Sequence, residues 1–378
     1  MTPGPILTVN GGSSSLHLAY VTEGSAGEGG KSSVGKSSVG DRMDLAEPPT
    51  SAQAMDAVAE FVRDREPPAA VAHRLVHGGE RLRHPSLVDD TIRADLETVA
   101  ALAPLHVPPS LRLLDQLRTL MPKVPHVVCP DNAFHADLPE VAATFPLPAS
   151  WRSRWGLRRY GFHGLSYAWS TRRTAELLRR PVGELRLVLA HLGGGASVCA
   201  VRGGRSVDTS MGFTPLDGVP MSTRSGAVDP GMLLWLLDGR LDVDQLSTGL
   251  HHESGLLGLS GGRSGDTRVL VAAAAKGDAT AQLAMDVYIH RVRREFAAAA
   301  TSLDRLDAVV FTGEIGWDQP EVRHGVCAGL SLLGVDTPAL WERPDDGPVS
   351  AAGSAVPVIV VEPREELQLA IEARALLG

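Results

Sequence analysis

LRLVLAHLGGGASVCAVRG at residues 185–203 repeats the plan of PILTVNGGSSSLHLAYV at residues 5–21. In each, an apolar run that reads as a buried strand breaks at consecutive glycines (Gly11 and Gly12; Gly193, Gly194 and Gly195). Small hydroxyl residues follow (Ser13, Ser14 and Ser15; Ser197), and alternating apolar residues then resume. The pattern predicts a strand, a glycine turn and a second strand, twice. Glycine tolerates the backbone that such turns need, and a turn bare of side chains aims several N–H groups one way, which suits a phosphate. A single turn of this kind is equally an ordinary hairpin. Two of them indicate a duplicated architecture with an equivalent turn in each half.

At 378 residues the chain exceeds what one hydrophobic core supports, so two domains are expected. Hydrophobic residues make up 43% and aromatics only 4%, which implies cores of Ala, Leu and Val. The apolar runs at 185–192, 309–312 and 356–361 have strand length, so no membrane partner is expected. The opening MTPGPILTVN lacks the basic-then-apolar pattern of a secretory leader, and a cytoplasmic protein is expected. Cys129, Cys199 and Cys327 are far apart and lie in apolar segments, as reduced buried thiols do. A net charge of −8 argues against nucleic acid as a partner.

Strand-like runs fall at 5–9, 15–21, 69–75, 124–129, 185–190, 196–201, 307–312 and 356–361. Helical patterns fall at 52–65, 92–102, 108–120, 164–179, 277–301, 319–333 and 365–377. Their alternation predicts an α/β fold. The last segment, EELQLAIEARALL, reads as a strongly amphipathic helix that returns to the first domain. The expected domains are therefore 1–133 plus 364–378, and 134–363. Residues 22–50 are Gly/Ser-rich, contain KSSVG twice in tandem and read as a mobile insertion. Gly30–Ser37 there satisfies the letters of the phosphate-binding pattern GxxxxGK[ST], but it lacks the buried strand before and the helix after that the motif needs.

Further segments join turn glycines to polar residues at the ends of apolar strands: AHRLVHGG at 72–79, CPDNAFH at 129–135, and RRYGFHG at 158–164. The densest is VDTSMGFTPLDG at 207–218, continuing through MSTRSG at 221–226. His73 and His77 invite a metal reading, yet four residues along a strand separate them by roughly 13 Å, too far for one ion.

In order, NGGSSSL, HRLVHGGE, APLH, DNAFHADLP, RRYGFHGLS, HLGGGASVCAV, DTSMGFTPLDG, TRSGAVDP, SGLLGLSG, VVFTGEIG and REEL span nearly the whole chain. By these motifs the sequence resembles the acetate kinase family of the acetate and sugar kinase, Hsp70 and actin superfamily. The resemblance implies a duplicated two-domain actin-like (RNase H-like) fold with a cleft between the domains. It also implies a homodimer that transfers phosphoryl reversibly between ATP and acetate, with Mg²⁺ or Mn²⁺, giving ADP and acetyl phosphate. Carried over motif by motif, Arg74 and Arg224 would flank the carboxylate and the phosphoryl in flight. His163 would stabilise charge on that phosphoryl, and Asp131 matches a catalytic aspartate. Asn10 and Glu365 match magnesium positions. Val76 and Leu105 would border the acyl group, with His106 and His135 shaping the pocket. Nucleotide contacts would come from Ser13, Ser15, His191, Gly193, Gly194, Gly195, Asp266, Thr267, Arg268, Gly313, Glu314, Ile315 and Gly316. The residue types suit the chemistry. A guanidinium binds carboxylate or phosphate bidentately and keeps its charge, and magnesium takes few protein oxygens when phosphates and water complete its shell.

The sequence departs from the family pattern at several places. Gly194 stands where the family carries an asparagine and Glu314 where it carries a second glycine. His17, Val107, Leu165 and Tyr167 also differ. These departures keep propionate, butyrate or another phosphoryl donor open as alternatives. A nucleotide-binding regulatory protein without turnover is the reading from another class, and it has no need of both arginines and Asp131.

Overall fold

The computed structural model describes residues 4–12, 15–23, 37–46, 51–63, 65–103, 106–339 and 345–378. The chain divides into two compact units, 1–136 with 364–378, and 137–363.

The first unit holds six strands: β1 (Ile6–Gly11), β2 (Leu16–Glu23), β3 (Ser37–Leu45), β4 (Ala70–Leu75), β5 (Ser86–Leu87) and β6 (His126–Pro130). The second holds β7 (Arg186–Leu192), β8 (Ala196–Arg202), β9 (Arg205–Thr209), β10 (Ala308–Thr312), β11 (Gly347–Pro348) and β12 (Val358–Val360). The sheet orders are β3-β2-β1-β4-β6-β5 and β9-β8-β7-β10-β12-β11. In both, three strands run antiparallel, the first pairs parallel with the next, a further parallel strand follows, and a two-residue antiparallel strand closes the edge. The duplication read from the glycine turns is thus a duplication of topology.

The inner strands are apolar on both faces, as strands covered by helices on two sides must be. Leu187 to Ala190 on β7 and Ala308 to Phe311 on β10 are wholly buried. In the first unit Leu7, Val9, Leu16, Leu18 and Val71 form one cluster with Ala54, Val58 and Phe61 of the helix Ala52–Arg63 and with Leu113 and Leu117 of the helix Val107–Leu120. In the second, Phe296 on the long helix Ala279–Ala300 meets Phe311 at 5.2 Å between ring centroids.

Three expectations are corrected. Residues 22–50 are not one mobile insertion: Thr22 and Glu23 end β2, and Ser37–Leu45 is a nine-residue edge strand paired to it. Met43 and Leu45 face inward against the core cluster while Arg42 and Asp44, which alternate with them, stay on the solvent side, so period-2 burial prevails over the low-complexity composition. Residues 24–36 and 47–50 lie outside the described residues. Ser37 opens a strand where the phosphate-binding pattern would need a helix, which removes that match. The helix Glu365–Leu377 does return to the first unit, but without a single apolar stripe. Leu367, Gln368, Leu369 and Ala370 are buried in succession, because the helix sinks against β1, β2, β4 and β6. Lastly, β4 ends at Leu75, so His77 lies beyond it, with Nδ1 accepting from the Gly79 N–H at 2.9 Å.

Candidate functional site

In an open parallel sheet, the carboxyl ends of adjacent strands place side chains together. β1, β4 and β6 are parallel neighbours, and each delivers one polar residue there. Asn10 lies near the end of β1, Arg74 near the end of β4, and Asp131 directly after β6. Glu365, in the first turn of the closing helix, joins them. Arg74 donates to Asp131 through Nε at 3.1 and 3.2 Å and through Nη2 at 2.7 Å. Its Nη1 donates to Asn10 Oδ1 at 2.9 Å, and Asn10 Nδ2 donates to Glu365 Oε2 at 2.8 Å. Asn132, next along, accepts from the Gly78 N–H at 3.0 Å and ties the loop after β4 to the loop after β6.

The Asp131 side chain is 1% exposed and that of Arg74 17%. Burial pushes the Asp131 carboxyl up to about 6, against the charge and hydrogen bonds of Arg74 and with help from the Glu365 charge. Burial disfavours the Arg74 cation too, but Asp131 and Glu365 outweigh it and raise its pKa. Val76 is buried just past β4. Leu105 and Ser13 lie outside the described residues.

Ser15, at the end of the first glycine turn, pairs with a residue that the motifs did not single out for a role. His17 Nε2 contacts Ser15 Oγ at 3.2 Å, and its Nδ1 contacts Asp44 Oδ1 of β3 at 2.6 Å. Despite some burial, hydrogen bonds from His17 and Arg42 hold Asp44 below the usual carboxylate range. The metal pair suggested by His73 and His77 does not form. His73 instead stacks on His126 of β6, with ring nitrogens 3.0 Å apart. Burial lowers the His73 pKa well below its ordinary value, with the His126 charge adding to it. Among the described residues, no group of three or more His, Cys, Asp or Glu side chains could hold a metal ion.

In the second unit the glycine turn joins β7 to β8, and His163 and Arg224 close on it. His163 caps the helix Gly164–Leu178 with φ +59°, a left-handed backbone unusual for a residue with a side chain. A Cβ placed on Gly195 would stand 3.0 Å from Arg224 Nη2 and 3.0 Å from His163 Nε2. Glycine is therefore what lets both groups approach the turn. Arg224 Nη1 is steadied by the Pro215 carbonyl at 2.8 Å. The rings of His163 and His191 stack at 4.3 Å and 18°, and His191 Nδ1 contacts Ser166 Oγ at 2.8 Å.

Beside the turn lies a cavity of ≈ 200 Å³, and six of the expected nucleotide residues line it: Gly194, Asp266, Thr267, Arg268, Glu314 and Ile315. Ser222, Gly265, Asp318 and Gln319 complete the wall; the motif reading missed them as contacts. Gly313, at φ +79°, packs against the Leu192 carbonyl with no room for a side chain, and Gly316 is buried under the wall against Phe311. Asp266 caps the helix Thr267–Ala274 and accepts from Arg268 Nε at 3.1 Å and Nη2 at 2.9 Å, bonds that hold its pKa down. The position of Gly194 has open space around it.

The model of the Acetokinase family matches residues 5–371. An acetate kinase from Synechococcus is 44% identical over 309 residues, 81% of this chain and 76% of that one. A crystal structure of Porphyromonas gingivalis acetate kinase superposes with a TM-score of 0.84 at 31% identity, covering 99% of this chain and 100% of that one. A propionate kinase from Francisella tularensis gives the same TM-score and identity over 98% of each chain. With its duplicated sheets, its arginine and aspartate at the strand ends and this likeness over almost its full length, the chain belongs to the acetokinase family.

Proposed function

We propose that the chain transfers the γ-phosphoryl group of ATP to acetate, reversibly and with a divalent metal ion, giving acetyl phosphate and ADP. Family membership supports the reaction class, and the Arg74–Asp131–Asn10–Glu365 cluster carries the proposal. A partly buried arginine on a buried aspartate adds little net stability over an apolar core, so such a pair at the ends of parallel strands points to chemistry.

Acetate is already ionised at neutral pH and needs no general base. The protein's task is to position the two substrates and to neutralise charge. Arg74 offers a guanidinium to a carboxylate or phosphoryl oxygen. Arg224 and His163 present two donors around Gly195, where side-chain bulk is absent. Asp131 holds the Arg74 guanidinium in one orientation through three hydrogen bonds. The cavity walled by Asp266 and Ile315 receives the nucleoside.

Asn10, Glu365 and Asp131 offer hard oxygen atoms in one place. That set fits magnesium, or manganese, which takes one or two carboxylates and leaves the rest of its shell to water and phosphates. Bound there, the ion would neutralise phosphate charge. Glu365 and Asn10 would hold it, and their mutual hydrogen bond sets the spacing of their oxygens.

A homodimer is part of the proposal. On the helix Pro230–Leu237 no residue is buried, with Leu234 71% and Trp235 56% exposed. Such an apolar surface favours a partner. A cytoplasmic location is proposed as well, in keeping with the free thiols Cys129, Cys199 and Cys327. No helix of the described residues is long and apolar enough to cross a membrane.

The test is a coupled assay of acyl phosphate formation, trapped as hydroxamate, with ATP, GTP and pyrophosphate as donors and acetate, propionate and butyrate as acceptors. The highest kcat/KM is expected for ATP with acetate. Propionate above acetate would move the assignment to the reading that the Francisella relative represents. Preference for a nucleotide-free donor over ATP would be traced to Glu314, whose carboxylate in the cavity wall repels nucleotide phosphates.

A further inference from the structure

Tyr167 lies one turn after His163 on the same helix and is wholly buried. Its phenol oxygen is 2.6 Å from Ser197 Oγ, and Ser197 Oγ is 2.8 Å from His163 Nδ1. Ser197 is also wholly buried, on β8 opposite His191 of β7. Three groups thus form a chain, and counting its protons gives the chain a direction. Burial holds the phenol protonated, its pKa well above the ordinary value. Ser197 Oγ, 2.6 Å away, is placed to accept that proton, which leaves its own for His163 Nδ1 at 2.8 Å. An Nδ1 that accepts leaves the ring proton on Nε2.

We propose that Tyr167 and Ser197 are positioning residues that fix the tautomer of His163, so that the neutral ring presents Nε2–H on the side of the glycine turn. The purpose lies in what stands beside it. Nε2 and the Arg224 guanidinium converge on the same point above Gly195, each 3.0 Å from it. With the proton on Nε2 both groups are donors, the combination an anionic oxygen requires; a lone pair there would repel it. Stacking on His191 fixes the plane of the ring, and the Tyr167–Ser197 pair fixes its proton. The inference rests on the proposed role of His163 at the transferred phosphoryl.

The experiment is ring-nitrogen NMR of the full chain labelled with ¹⁵N-histidine at pH 7.5, with His163→Asn assigning the signal. An unprotonated Nδ1 and a protonated Nε2 are expected for the native chain. Tyr167→Phe keeps the ring but removes the relay proton. The Nδ1–H form should then rise and kcat fall ~10-fold, less than the ~10²-fold of an oriented donor removed outright because the ring itself stays in place, with KM for acetate and ATP unchanged. Ser197→Ala should act alike, and the double variant should add nothing. A native His163 already protonated on Nδ1, or a Tyr167→Phe spectrum identical to native, overturns the proposal. If the native chain showed no acetate-dependent turnover, the functional reading would fail while the spectrum still reported the tautomer.

Discussion

Arg74 and Arg224 match paired roles in the motifs, yet the protein holds them differently. Arg74 makes three hydrogen bonds to an aspartate 1% exposed, at the ends of parallel strands. Arg224 comes from a loop, donates to the Pro215 carbonyl and reaches the turn because Gly195 lacks a side chain. The first arginine is part of the interior electrostatics of its unit, and the second is aimed at a surface kept clear for it. The two units share a topology and have diverged in how they hold charge.

Truncating each arginine separates these roles most sharply. Arg224→Ala should lower kcat ~10²- to 10³-fold, the scale of a lost transition-state donor, with an unchanged urea midpoint. Arg74→Ala should lose activity and in addition ~3–5 kcal/mol of stability, because it strands a buried carboxylate. Equal urea midpoints for the two variants would break the comparison, and near-normal kcat in Arg224→Ala would remove its assignment.

Next in size is Gly195→Ala. Its methyl group would press on His163 Nε2 and Arg224 Nη2 at once, and a displacement near 1 Å costs ~10² in rate. The neighbouring Gly194→Ala meets open space and should leave kcat within a few-fold of native. If both variants behaved alike, the glycine would be serving the turn alone.

The pH profile reads the other half of the comparison. Asp131 is held at about 6 by burial, so it protonates as pH falls through that value and releases Arg74 from its fixed orientation. Activity should fall on the acid side of pH 6, and Asp131→Asn should be slow at every pH and lack that acid limb. An unaltered limb in Asp131→Asn would assign the titration elsewhere. The smallest effect belongs to Glu314→Gln. Glu314 is an exposed carboxylate in the cavity wall, so its repulsion of a nucleotide is screened, and KM for ATP should fall only ~2- to 5-fold. An unchanged KM would clear Glu314 of any influence on the donor.

The framework was legible because it is written in local pattern. Apolar runs ending in glycine marked β1 and β7, and the motif HRLVHGG placed Arg74 at the end of a buried strand. The edge of the first sheet was hidden, since SSVGDRMDL continues a Gly/Ser repeat and only Met43 and Leu45 betray a strand. Partners as short as Ser86–Leu87 and Gly347–Pro348 exist only through pairing with another strand, and two residues leave no periodicity to read. At the site, each of Asn10, Arg74, Asp131 and Glu365 was visible singly. Their meeting follows from strand order, which joins residues 355 positions apart. Tyr167 and Ser197 were visible only as a departure and as part of a turn. Polar residues at successive positions of a buried helix start, FHGLSY, were the available signal.

The most direct measurement is ADP release by the purified chain with magnesium and ATP, in the presence and absence of acetate and with hydroxylamine as trap. ADP and acetyl hydroxamate should form one for one, and ADP release should all but stop when acetate is omitted. Equal ADP release with and without acetate would contradict the assignment, because the groups around Arg74 and Arg224 would then be serving water.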